Sequence, residues 1–225
     1  MDAPWLTPSY QLIAELLLHP DDRDGARINT LLKRLDAEPL SELEPLRRFL
    51  SDPAASSKDE YVQTLELSPP CPLYLGAYLF DEPTTCRGVG TSGRNAFMLE
   101  INAVYRHFGF QLSGRELSDY LPAAVEFLGI SLERAARDRI GLRRRLLEQY
   151  VRPGLGPLKE KLHKYESPYA LLVEALESVV AEDLRHLGDV PAWRPPERAP
   201  ERGGRRLPVL GEAGPGTPRR VEVHS

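Results

Sequence analysis

The sequence predicts an all-α protein: a single helical-bundle domain followed by a tail. Three observations predict it. Apolar residues recur at helical spacing almost everywhere, and strict strand-like alternation is nearly absent. A length of 225 residues suits one sizeable helical domain with a core and a tail, whereas two full domains would be cramped. Beyond residue 187 the composition changes abruptly: seven prolines and six glycines lie between Gly188 and Ser225, mixed with arginines.

The elements follow in order. Thr7 reads as an N-cap with Pro8 at the first helical position, where a missing N–H costs nothing. Leu12, Ile13, Leu16 and Leu17 then share one face, and Pro20 stops the helix. Ile28, Leu31, Leu32 and Leu35 mark a second helix; Leu43, Leu46, Phe49 and Leu50 mark a third. Ser57 to Glu60 is a capping-box pattern that launches a helix carrying Tyr61, Val62 and Leu65. The prolines of Ser68 to Pro72 break that helix. A short apolar helix is predicted over Leu73 to Phe80, and a Gly-, Pro- and Thr-rich loop over Asp81 to Gly93. Phe97, Met98, Ile101, Val104, Tyr105 and Phe108 form a strong stripe ended by Gly109, and Leu121, Val125 and Leu128 mark the next helix. A charged helix is predicted from about Leu132 to Tyr150, breaking at Pro153-Gly154. The last begins at Ser167-Pro168, again N-cap then proline, and carries Tyr169, Leu172, Leu176, Val179 and Leu184. The domain is therefore expected over residues 1–187, with 188–225 a disordered Pro/Gly/Arg-rich tail that cannot bury enough apolar surface to offset its ordering entropy.

Charge and motifs exclude several functions. The net charge of −4 argues against a general nucleic-acid binder. No apolar run approaches the length that spans a bilayer, and the first residues lack a secretory n-region, so the cytoplasm is the expected location, without membrane insertion. Cys71 and Cys86 form no C-x-x-C pair and are expected as free thiols. Walker loop and nucleophile elbow are missing. Gly88 to Gly93 spells G-x-G-x-x-G, but no predicted strand precedes it, so it reads as a loop. The five histidines form no metal-binding cluster; Glu15 and His19 read as a solvated i,i+4 pair, and Arg143-Arg144-Arg145 as a solvent-facing run. No catalytic residue and no bound metal can be named, and an enzyme is not expected.

Several stretches, in shared order, resemble the delta-chain (NarJ-type) chaperones of respiratory nitrate reductase, within the wider family of redox-enzyme maturation chaperones. Leu16 to Pro20 (LLLHP) is similar to that family's close of helix one, "L-L-x-Y-P". Tyr61 to Leu75 resembles its "Y-x-x-x-F-D" core segment, and Arg94 to Met98 (RNAFM) its "R-G-x-A-M" turn into a helix. Tyr105 to Leu112 resembles "Y-x-x-x-G-L-x-L", and Glu116 to Leu128 (ELSDYLPAAVEFL) "E-L-P-D-H-L-P-x-x-L-E-F-L". Glu166 to Ala170 (ESPYA) is similar to "E-S-x-Y-A". Together these cover roughly residues 10 to 187. Ser118 and Tyr120 replace the usual proline and histidine of the central motif, Asn95 stands where glycine is common, and the loop from Asp81 looks long, which leaves the client open.

The resemblance implies an all-helical chaperone fold that binds the N-terminal segment of a molybdenum oxidoreductase's catalytic subunit, most simply that of respiratory nitrate reductase. The client would be held ready for insertion of the molybdenum cofactor, and of an iron–sulfur cluster, before membrane docking; no cofactor is expected to reside in this chain. Recognition of that kind lays an amphipathic segment into an apolar groove. Candidate groove residues are Tyr61, Tyr74, Tyr78, Tyr105 and Tyr120, each an apolar body with a polar tip, and each equally readable as core packing with a satisfied hydroxyl. Arg94, Asp119, Pro122 and Glu126 carry over from the matched motifs. Asp119 also reads as a helix N-terminal cap, and Glu126 as a partner for a basic client residue or for Arg94. A helical adaptor with no part in cofactor insertion is the alternative, and the oligomeric state is left open.

Overall fold

The structure is a computed structural model that describes residues 4–36, 41–67, 69–81, 93–112, 116–132 and 137–194, with residues 133–139 lacking described side chains. One compact unit spans Met1–Trp193; the remainder, from Arg194, is described only at Arg194. Residues 188–193, which composition assigned to the tail, belong to the compact unit. The tail beyond 194, Cys86 and the Gly88 to Ser92 part of the glycine motif lie outside the described residues.

The fold is all-α. Its helices are α1 (Leu6–Leu16), α2 (Gly25–Leu35), α3 (Glu44–Ser51), α4 (Lys58–Tyr61), α5 (Gly93–His107), α6 (Leu121–Leu132), α7 (Arg137–Arg145), α8 (Arg152–Lys164) and α9 (Tyr169–His186). Among the described residues the only β pairing is an isolated antiparallel bridge between Tyr74 and Tyr120. No described helix is long and apolar enough to cross a membrane.

α1 is central: it packs against α6, α2 and α9. Its Tyr10, Leu12 and Ile13 are fully buried. The approach to α6 is close because Gly129 has no side chain; a Cβ there would sit 3.2 Å from Tyr10 Cβ. α1 begins two residues earlier than the sequence predicts. Trp5 is the N-cap without a side-chain bond, the first i→i−4 bond runs from Ser9 N to Trp5 O, and Pro8 falls on one of the positions with no N–H partner to lose. α1 also ends at Leu16, and Pro20 opens a 3-10 turn instead of stopping the helix.

Other departures have local causes. Ser57 Oγ accepts the Glu60 N–H at 3.2 Å, but the reciprocal half of the capping box is missing because Ser57 N–H is taken by Ala54 O. The Glu60 carboxylate instead accepts from Thr64 and Ser167 hydroxyls, tying α4 to the start of α9. The short helix expected over Leu73 to Phe80 is a single 3-10 turn, Leu75–Tyr78, because Tyr74 is held extended against Tyr120. At the other end of its sequence stripe, α5 closes in a Schellman motif. Phe110 N–H reaches Tyr105 O, Gly109 N–H reaches Arg106 O, and Gly109 supplies the required φ of +82°.

The predicted break at Pro153-Gly154 does not occur. α7 runs through a π turn, Leu146–Val151, directly into α8, a helix the sequence reading missed. Pro153 comes just after the π turn, and Gly154 seats Leu75, whose Cδ2 would lie 2.9 Å from a Cβ there. α8 ends with Glu166 at φ +53°, the left-handed cap position usually given to glycine. α9 starts at Tyr169, with Pro168 as N-cap in place of Ser167.

The Arg143-Arg144-Arg145 run is not a solvent face. Arg143 is fully buried, paired with Asp183 of α9, and donates to Leu128 O at 2.9 Å and Ser131 Oγ at 2.6 Å on α6. Tyr10 of α1 donates to the same Asp183 carboxylate at 2.8 Å. One buried polar cluster thus joins four helices, satisfying an ion pair that burial would otherwise penalise. Arg145 lies between the Tyr150 and Trp193 rings, and Trp193 N–H donates to Gly141 O at 2.9 Å, fixing residues 188–193 on α7.

Candidate functional site

A cleft of about 250 Å³ opens between α1, α2 and α6. Its wall on one side is Ala14, Glu15 and Leu18 with Arg27 above them. On the other stand Pro122, Ala123, Glu126, Phe127 and Ile130, successive turns of α6. Tyr105, Phe110 and Tyr120 close the end. The spacing of 122, 123, 126, 127 and 130 is one helical face, so α6 presents its other face to α1 and the core.

The aromatic floor is closely packed. Tyr105 and Phe127 rings lie 4.6 Å apart, and Phe108 and Phe110 both approach Phe127 edge-on. Tyr105 is buried and donates its hydroxyl to Ser118 O at 3.1 Å, while Ser118 Oγ donates to Met98 O at 2.6 Å. Ser118 is one of the departures noted in the sequence; its hydroxyl fastens the 116–120 segment to α5 in a way proline could not.

Two backbone bonds set the next layer. Leu75 N–H donates to Asp119 O at 2.9 Å and Leu121 N–H to Leu73 O at 2.8 Å. They place the Tyr74 and Tyr120 rings 5.4 Å apart, tilted, with Tyr120 in the cleft lining and Tyr74 beside it. Tyr74 donates to Glu116 Oε2 at 2.8 Å. Burial first, and then that carboxylate, push the Tyr74 hydroxyl up to about 12. Burial likewise raises Tyr105 and Tyr120 above the ordinary tyrosine value, so all three are donors at neutral pH.

Asp119 does not cap its own helix. It is fully buried, and its Oδ2 accepts the Gly76 N–H at 3.0 Å and Arg94 Nε at 3.2 Å. It therefore caps the neighbouring 3-10 turn, Leu75–Tyr78, with Arg94 neutralising it. A Cβ on Gly76 would lie 2.6 Å from that oxygen, so only glycine fits. Arg94 is thereby committed to Asp119, and Glu126 faces Arg27 at 3.6 Å, not Arg94.

Of the residues singled out in the sequence, Tyr105, Tyr120, Pro122 and Glu126 meet at the cleft, with Tyr74 beside it. Tyr61 is in the core, its hydroxyl donating to Leu17 O and its ring against Tyr169 and His19. Tyr78 is half-buried elsewhere, donating to Pro72 O at 2.8 Å, with Lys161 over its ring. Glu15, Arg27, Phe110, Phe127 and Ile130 were missed. Glu15 had left a signal, a charge beside the apolar face of α1; it pairs with Arg27 at 3.2 Å, not with His19. A second depression of about 560 Å³ adjoins the first, sharing Gln111, Leu112 and Glu116 and lined further by Met98, Leu99 and Leu117.

Cys71 is a buried free thiol. No group of three or more metal-ligating side chains gathers among the described residues. A family model described as nitrate reductase delta subunit matches residues 33–170, a span that holds the α6 wall and aromatic floor and omits the α1 wall and Arg27. No curated protein matches the chain. The matched span is more than half of the 225 residues, and the chain belongs to the nitrate reductase delta subunit family.

Proposed function

We propose that this protein is a cytoplasmic assembly chaperone without catalytic activity. It binds the N-terminal segment of the catalytic subunit of a molybdenum oxidoreductase, most simply a respiratory nitrate reductase, and holds it ready for molybdenum cofactor insertion. The observation that carries the reading is the preformed cleft between α1, α2 and α6, apolar and aromatic inside and charged at the rim. Its rigid wall is one helix face, which suits a segment that docks as an amphipathic helix. Such a segment gains affinity from buried apolar area, about 25 cal/mol per Å² before its ordering cost. Tyr120 in the lining sets a polar tip beside this apolar surface, and the neighbouring Tyr74 hydroxyl is held by Glu116.

Calorimetric titration with a peptide from the N-terminus of the host's nitrate reductase catalytic subunit tests the reading. Saturable binding that Ile130→Asp abolishes, with unchanged helix content, is the expected result. An unaltered affinity in that variant would show that the cleft is not the site. Co-purification from the native host of a large subunit lacking its cofactor separates this role from that of a helical adaptor.

A further inference from the structure

The cleft carries a charge imbalance of its own. Among its described lining residues, three carboxylates, Glu15, Glu116 and Glu126, face one guanidinium, Arg27. Arg27 spans two helices: Nη1 lies 3.2 Å from Glu15 Oε2 and Nη2 lies 3.6 Å from Glu126 Oε1. The two contacts differ in kind. Glu15 is a buried carboxylate, 5% exposed, which also accepts the Asp24 N–H at 2.6 Å, so it holds Arg27 where water competes poorly. Glu126 is 51% exposed, and its contact with Arg27 is longer than a hydrogen bond; pairs of that kind are weak in water. Glu116 accepts only the Tyr74 hydroxyl among the described residues.

We infer that Glu126 is the receptor for a cationic side chain of the client segment, and that Arg27 is an internal stand-in which this side chain displaces. The inference rests on the helix-in-cleft reading and narrows it to one class of occupant: a segment with an apolar face and an arginine or lysine bordering that face. Glu126 lies on the same face of α6 as Pro122, Phe127 and Ile130, so apolar anchors in the cleft bring a flanking cation to its carboxylate. Displacement strands no buried charge, because Arg27 keeps its Glu15 partner when it releases Glu126. The imbalance of the lining favours an incoming cation and disfavours an acidic segment.

The test uses the full chain and a synthetic amphipathic peptide about four turns long. The peptide carries leucine and phenylalanine on one face and a single bordering arginine; its twin carries citrulline instead. Titration calorimetry is expected to show the arginine peptide binding about tenfold tighter, the scale of one charge-assisted hydrogen bond at a part-exposed site. Glu126→Gln is expected to erase that preference, so that the two peptides bind alike. Arg27→Gln is expected to widen the preference for the arginine peptide over its twin about threefold. Equal affinities for the two peptides on the unmodified protein would overturn the inference while leaving the helix-in-cleft reading standing. Binding of neither would overturn both. A preference that survives Glu126→Gln would also overturn the assignment, and this exposed substitution decides the matter even if Arg27→Gln fails to fold.

Discussion

Replacing Arg143 by alanine perturbs the most enclosed polar cluster in the fold. Arg143 and Asp183 are 0% and 1% exposed, so neither can turn to water if the other is lost. Without the guanidinium, Asp183 Oδ1 loses the Nε donor at 3.3 Å, and Oδ2 keeps only the Tyr10 hydroxyl. Leu128 O and Ser131 Oγ lose the Arg143 donor as well, and Leu128 O keeps only the Ser131 hydroxyl at 3.3 Å among the side-chain donors. Removing one member of a buried ion pair costs about 3–5 kcal/mol, chiefly because the partner charge stays buried and uncompensated. For a chain of this size 1 kcal/mol moves Tm by about 2–4 °C, so the expected fall is about 6–20 °C. That is a large share of a total stability of about 5–15 kcal/mol. Thermal melts followed by far-ultraviolet circular dichroism read it directly. The double variant Arg143→Met with Asp183→Leu, apolar at both positions, should recover part of the loss. A fall below about 3 °C for Arg143→Ala would refute the reasoning, since a solvated arginine costs about that little.

Tyr120→Ala should weaken client-peptide binding in calorimetry while circular dichroism stays native; unchanged affinity removes Tyr120 from the recognition surface. Gly76→Ala drives a methyl into Asp119 Oδ2 and the Arg94 side chain, and should lower stability by about 1–3 kcal/mol in urea denaturation. Glu166→Gly relieves a left-handed residue on an exposed turn and should raise Tm, by a gain of about 1 kcal/mol; no rise would mean that the cap is unstrained. Burial raises the hydroxyl pKa of Tyr10, Tyr61 and Tyr105, so the folded state holds those protons more tightly than the unfolded chain. Their contribution is complete below the unfolded value of about 10 and is lost as pH rises above it, which urea midpoints measured across that range will show as a steep alkaline decline. A chain ending after Arg194 should melt like the full protein. One ending after Leu187 also loses the Trp193 contacts with Arg145 and Gly141 and should melt a few degrees lower, from a loss of about 1 kcal/mol.

The helical class was legible because its cause is local: apolar residues at three- and four-residue spacing leave a helix one face to bury. α2, α5, α6 and α9 were read on that basis from Leu31, Ile101, Val125 and Leu176, all buried. α8 was not legible, because Pro153, Gly154, Gly156 and Pro157 read as breakers. Tertiary packing overrides that propensity: Leu75 fills the space over Gly154, and the preceding π turn delivers the chain already helical. Arg143 was misread for a related reason. A run of three arginines looks solvated in one dimension, and the partner that buries the first lies on α9, far along the chain. The trace of it was Asp183, an acidic residue four positions beyond Val179 in an apolar stripe. The cleft was half legible. Residues on α6 and its approach came from the motif, but the opposing wall from α1 and Arg27 depends on which helices meet, and spacing along the chain does not encode that.

The central position of α1 sets a timetable for synthesis. Tyr10, Leu12 and Ile13 are made early, and the surfaces that bury them, α6 and α9, follow more than a hundred residues later. At about 5–20 residues per second α1 waits roughly 5–35 s with its oily side uncovered. Until α6 and α9 are made, that apolar face has no partner within its own domain.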